Sequence, residues 1–204
     1  MVATLVAACG TTPATPGVSF PTASLGSAPS SSASATANPI GPPSGSLAAS
    51  GLTVEVDPGL LGFVPSEIDG TALTYDPEST ASTADDPGLV ARISGLAIGI
   101  VVPPGSSGSS NLAVVSVARL RDASFDDNWF RDWRDTYDES VCAQAGGVAR
   151  HAQTTINARL VFIGTCAGGV FTYHVHVAVG GVVVTVMSVG SPELGLKVIE
   201  GIKP

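Results

Sequence analysis

Val170-Phe171-Thr172-Tyr173-His174-Val175-His176-Val177, then Ala178-Val179-Gly180-Gly181, then Val182-Val183-Val184-Thr185-Val186-Met187-Ser188-Val189 is the stretch that decides the fold. Val, Thr and aromatic residues fill it, and a glycine pair divides it at hairpin spacing. Gly168-Gly169 divides it again from Arg159–Cys166 upstream. Residues 160–190 carry no Asp, Glu, Lys or Arg. A membrane-spanning helix has to be weighed for such a run, but Gly164 and the two glycine pairs interrupt it, and β-branched residues dominate. The spacing predicts a β-meander with strands near 149–156, 159–166, 170–179 and 182–189, closed by a short helix over 192–201.

Working outward, Leu96–Val102 and Leu112–Leu120 read as two strands around the loop 103–111. Leu52–Val56 and Gly70–Tyr75 read as further strands. Asp76-Pro77 and Asp86-Pro87 each pair a helix-capping residue with proline at the first helical position, so a broken helical region is expected over 77–94. Ser124 is read as the cap of a longer helix, 124–141. Its apolar stripe is assigned to Trp129, Phe130, Trp133, Tyr137 and Val141, and Gly146-Gly147 ends it. Asp126, Asp127, Asp132, Asp135 and Asp138, interleaved with Arg131 and Arg134, are read as its solvated acidic face. The expected class is α+β: a twisted antiparallel sheet with helices packed on it, as one domain over 51–204.

The remaining chain is different in kind. Residues 10–50 contain no charged side chain and consist mainly of Ser, Thr, Ala, Pro and Gly. Too little apolar surface is present to offset the entropy of ordering this segment, so it is expected to be a disordered tether reaching on the order of 35 Å. Its Ser/Thr/Pro richness also permits O-glycosylation. Before it stands Leu5-Val6-Ala7-Ala8-Cys9. This run resembles the lipobox of bacterial lipoproteins, in which small residues precede a cysteine that receives lipid. The resemblance implies acylation at Cys9, which becomes the mature N-terminus once the residues before it are removed, and residence at the extracytoplasmic face of a bacterial membrane. No Lys or Arg lies between Met1 and Cys9, although a signal peptide begins with positive charge. The true start is therefore expected upstream of Met1.

The chain has three cysteines. With Cys9 acylated, Cys142 and Cys166 remain, and in an oxidising compartment they are expected to pair. Closing that loop adds roughly 3 kcal/mol in the chain-entropy model. Taking Gly168-Gly169 as a two-residue turn, Cys166 pairs with Phe171 and lies on the face of Phe171, Tyr173, Val175, Val177 and Val179. The bridge would then staple the aromatic helix to that core face.

The net charge is −8. That argues against nucleic acid and against electrostatic docking on anionic lipid. Membrane attachment is expected only through the lipid on Cys9, with an unknown protein or small ligand as partner. The acidic helix face and the loop 103–111 are the expected contact surfaces. No cofactor is expected. The element order over 51–204, a β-meander followed by a terminal helix, also resembles the PsbP/Mog1-like domains of some bacterial lipoproteins. That resemblance implies partner binding or assembly rather than a catalytic residue set.

One constellation competes with that reading. His174 and His176 stand at i and i+2 and project from the same strand face, as in some zinc sites. Zinc needs at least a third protein ligand. With two-residue turns, Thr185 and Val161 neighbour His176, and Met187 and Ile163 neighbour His174, none of them a usual zinc ligand. His151 or an acid from the 76–86 region would have to supply it. A small envelope metal protein or enzyme centred on His174 and His176 is thus the alternative to a non-catalytic binding or envelope-assembly domain.

Overall fold

A computed structural model describes residues 51–106, 111–121 and 125–203. Cys9 and the expected tether 10–50 lie outside the described residues. In chain order the elements are β1 (Glu55–Val56), a 3-10 turn at Pro58–Phe63, β2 (Glu67–Ile68), β3 (Thr71–Ala72), β4 (Thr74–Tyr75), α1 (Pro77–Ala84), β5 (Ile93–Val101) and β6 (Leu112–Leu120). Then come α2 (Asp127–Cys142), β7 (Val148–Ile156), β8 (Arg159–Cys166), β9 (Val170–Val177), β10 (Val182–Val189) and α3 (Pro192–Glu200). The domain is α+β. Its main sheet runs β1-β5-β6-β10-β9-β8-β7, with β4 also paired to β5.

The meander forms because Val and Thr alternation is cut by glycines that accept positive φ. Gly169, Gly180 and Gly181 have φ of 76°, 90° and 58°, values costly for a residue with a Cβ. β10 then lands between β9 and β6 and is buried on both faces along most of its length. Nearly all pairings are antiparallel. The exception is β1, which pairs in parallel with β5.

Two loop lengths differ from expectation, with different consequences. The β8–β9 turn holds three residues, so Thr165 rather than Cys166 faces Phe171. A one-residue slip moves every side chain to the other face. Cys166 therefore leaves the Phe171–Tyr173 face and joins that of His174. The β9–β10 connection holds four residues, which places Val183 opposite His176 and Thr185 opposite His174. That shift of two keeps the faces, but it puts Val179 in the exposed turn.

The first face is mostly apolar. Val161, Tyr173, Val175, Val184, Val186, Val115 and Val117 pack there against Leu60 and Val64 and against Leu194, Val198 and Ile199 of α3. Ser191 caps α3 by accepting from the Glu193 N–H at 3.2 Å, with Pro192 opening the helix. The Tyr173 hydroxyl donates to the Pro192 carbonyl at 2.9 Å. Burial pushes this phenol up to about 12.

The second face is covered by α1 and α2. Asp76 caps α1 through the Ser79 N–H at 3.0 Å, with Pro77 in the first turn, as the sequence predicts. The helix stops at Ala84. Asp86 instead accepts from the Gly88 N–H at 2.8 Å, so Asp86-Pro87 opens turns rather than a second helical piece. In α2 the cap is Asp126, which accepts from the N–H groups of Asn128 and Trp129; Ser124 lies outside the described residues. Among the described residues no helix is long and apolar enough to cross a membrane.

Gly195 in α3 shows how closely the first face is packed. A Cβ there would overlap the Tyr173 ring and stand 3.0 Å from the Ser188 Cβ. Despite alanine's better helix propensity, Gly195→Ala is expected to destabilise the domain by about 1–3 kcal/mol. Urea unfolding monitored by circular dichroism measures this, and a neutral or raised midpoint would contradict the packing described.

Candidate functional site

The inward seam of α2 is Phe130, Arg134, Asp138 and Cys142, four residues spaced four apart. Phe130, Asp138 and Cys142 are buried, and Arg134 exposes only 18 % of its side chain. Trp129 and Trp133, expected as the centre of the stripe, flank it half-buried with their rings 5.4 Å apart. The seam follows β8. Four helical residues advance about 6 Å and two strand residues about 6.6 Å, so the positions stay nearly in step. Arg134 lies over the Phe162 ring, 3.8 Å from its centroid. Asp138 sits against Gly164, and Cys142 bonds Cys166 in a disulfide whose Cα atoms are 5.1 Å apart. The pairing is as expected, but it fastens α2 to the histidine face, not to the Phe171–Tyr173 face.

Asp138 corrects the reading of a solvated acidic face, being 1 % exposed. Its carboxylate is the focus of three side chains from two strands, β9 and β7. Thr172 donates to Oδ1 at 2.5 Å, and His174 Nε2 stands 2.9 Å from the same oxygen. His151 Nε2 lies 3.0 Å from Oδ2. A carboxylate only accepts, so both imidazoles donate through Nε2–H. The Thr185 hydroxyl partners the other ring nitrogen, His174 Nδ1, 3.3 Å away. Tyr137 packs edge-on to His174 at 5.4 Å. Gly164 makes the arrangement possible, because a Cβ there would overlap Asp138 Oδ2 and Thr172 Oγ1.

Burial by itself pushes the Asp138 carboxyl up. The hydrogen bonds from His174 and Thr172 outweigh it, helped by the charges of His174 and His151, and the carboxyl is held below its ordinary value of 3.8. Tyr137 goes the other way, up to about 12, through burial and the adjacent Asp138 charge.

His174 and His176 share a strand face but not a site. His174 is enclosed by Asp138, Thr185 and Tyr137. His176 stacks on Phe125, 3.8 Å between ring centroids and 8° from parallel. Burial lowers its pKa below 6.5, against the opposing pull of Asp127. Among the described residues no group of three or more His, Cys, Asp and Glu is arranged to hold a metal. His151, the expected third ligand, does come near His174, but both meet through one carboxylate. Asp76 and Asp86, from the segment expected to offer an acid, are engaged in local caps.

His151 is half-exposed and opens onto a cavity of about 260 Å³ between α2 and the strands β7 and β8. Arg134, Asp138, Gln153, Phe162 and Ile163 complete most of its lining. Of the loop expected as a contact surface, Pro103, Pro104 and Asn111 line a second cavity of about 340 Å³ beside Lys197; residues 107–110 are outside the described set.

Sequence reasoning missed Asp138 because acids on an amphipathic helix are normally placed outside. A signal was present. Asp138 lies four residues before Cys142, whose bridge fixes the inward direction, and eight after Phe130. Removing its carboxylate leaves a buried imidazole N–H and a buried hydroxyl unpaired. Asp138→Ala is expected to cost about 3–5 kcal/mol, read as a lowered denaturation midpoint.

The depressed Asp138 pKa has a definite sign. It contributes stability above the ordinary carboxylate value, and that contribution is lost as pH falls through the lower folded value. Wild-type stability should therefore drop between about pH 5 and pH 3 more steeply than that of Asp138→Asn. Parallel slopes in thermal melts would contradict the network.

Comparison with protein-family models, with curated proteins and with solved structures finds no match to this chain.

Proposed function

We propose that the chain is a lipid-anchored extracytoplasmic lipoprotein whose folded domain is a non-catalytic binding or envelope-assembly module. Acylation falls on Cys9, and residues 10–50 serve as the spacer between the anchor and the domain. The observation that carries this reading is the Cys142–Cys166 disulfide. Such bridges are uncommon in reducing compartments, and this one leaves Cys9 as the single cysteine free to take a lipid. The lipobox-like run ending at that residue then accounts for an otherwise odd cysteine.

A binding role is supported by the side chains around the α2–β8 cavity. A guanidinium, an imidazole and a primary amide line it, groups suited to recognising a polar ligand. The other reading, a metal protein or enzyme centred on His174 and His176, draws less support, because the two rings have separate partners. Stoichiometric zinc in purified protein, lost on His174→Ala, would restore it.

The anchor is tested by growing cells with a radiolabelled or clickable palmitate. Label on the wild-type chain and none on Cys9→Ser is expected, with the variant released from the membrane fraction. An unlabelled native chain found in the cytosol would overturn the proposal.

A further inference from the structure

The cavity beside α2 carries a more specific reading, one that gives a ligand class to the binding role proposed above and rests on it. Arg134 is held almost rigidly, stacked on Phe162 and 18 % exposed. Among the described residues its guanidinium makes one side-chain hydrogen bond, Nε to Asp135 Oδ1 at 3.3 Å. The terminal nitrogens carry four more N–H donors. His151 is oriented by Asp138 through Nε2, and its Nδ1 can donate to a ligand only in the imidazolium form. Gln153 adds an amide from the exposed edge strand.

Asp138 also lines the cavity, but both of its oxygens already have donors. Oδ1 accepts from Thr172 and His174, and Oδ2 from His151. The exposed aromatic surface that would favour a cation is taken by Arg134 itself. The donors and positive charge left for a newcomer are those of the Arg134 guanidinium and the Gln153 amide. The chain's net charge of −8 opposes anions at a distance, yet beyond about 8 Å that field is screened at physiological salt.

We propose that this cavity binds a small oxyanion-bearing ligand, a carboxylate or a phosphate, held by the Arg134 guanidinium beside the His151 ring, with the Gln153 amide at the rim. Guanidinium matches either oxyanion through paired N–H donors. The volume of about 260 Å³ limits the occupant to a small molecule or the terminus of a larger one.

The test is a titration of the full 204-residue chain by two-dimensional NMR with succinate, with inorganic phosphate and with methylammonium, each to about ten times a millimolar Kd. The expected result is saturable shifts at the Ala152 and Gln153 amides and at Arg134 Nε, produced by succinate, by phosphate or by both. The stronger of the two assigns the ligand to carboxylates or to phosphates. Arg134→Gln should weaken binding at least about tenfold. Gln153→Glu changes only an exposed strand residue, and should do the same by repulsion even where Arg134→Gln fails to fold.

No saturable shift with either oxyanion, binding indifferent to both variants, or saturation by methylammonium instead would overturn the inference. Lipid on Cys9 without oxyanion binding removes this inference and leaves the anchored reading standing. Oxyanion binding by a chain that takes no lipid does the reverse.

Discussion

A carboxylate taken out of water is tolerated only where donors replace its hydration, and Asp138 is such a group. Three strands are committed to it. Thr172 and His174 come from β9, His151 from β7, and β8 contributes the gap at Gly164 that lets the carboxylate reach them. The rotation of α2 about its axis follows from this. With Asp138 facing the sheet and Cys142 bonded to Cys166, Phe130 and Arg134 have to face inward as well. The disulfide fixes one end of the helix and the hydrogen-bond cluster fixes its middle.

The two faces of the sheet are built on different principles as a result. Against α3 the core is Val, Ile, Leu and one tyrosine, and its specificity is steric, as the close approach of Gly195 to Tyr173 shows. Against α2 the sheet presents Thr172, His174 and Thr185, all buried and all partnered. A polar cluster of this kind tolerates few arrangements, because each displaced member leaves another unsatisfied. It also spreads to the surface at one place, where His151 leaves the cluster and Arg134 emerges over Phe162. The candidate site is the exposed margin of the buried network, and it inherits its order from that network.

The strands of the meander were legible almost to the residue, because glycine pairs and β-branched alternation mark strand and turn in the same local segment. The α1 and α3 starts were legible too, since Asp-Pro and Ser-Pro combine cap and first-turn signals. Facing was harder. It depended on whether the turn after Cys166 held two residues or three, and three sent Cys166 to the histidine side. The cysteine pairing survived that error because it came from counting thiols rather than from register. Asp138 stayed hidden for another reason. Local pattern sorts charges outward, and only the tertiary neighbours Gly164, Thr172 and His174 make an inward carboxylate affordable. Arg134 and His151 became part of a site only once α2 was laid along β8.

The imidazole nitrogens of His174 report on this arrangement most directly. With the ring enclosed and Asp138 ionised, a long-range proton–nitrogen NMR spectrum near neutral pH should show a proton on His174 Nε2 that is protected from solvent exchange. The same spectrum of Asp138→Asn should lose that protection. An Nε2 without a proton, or exchange as fast as that of an exposed imidazole, would contradict a buried carboxylate as the organiser of this face.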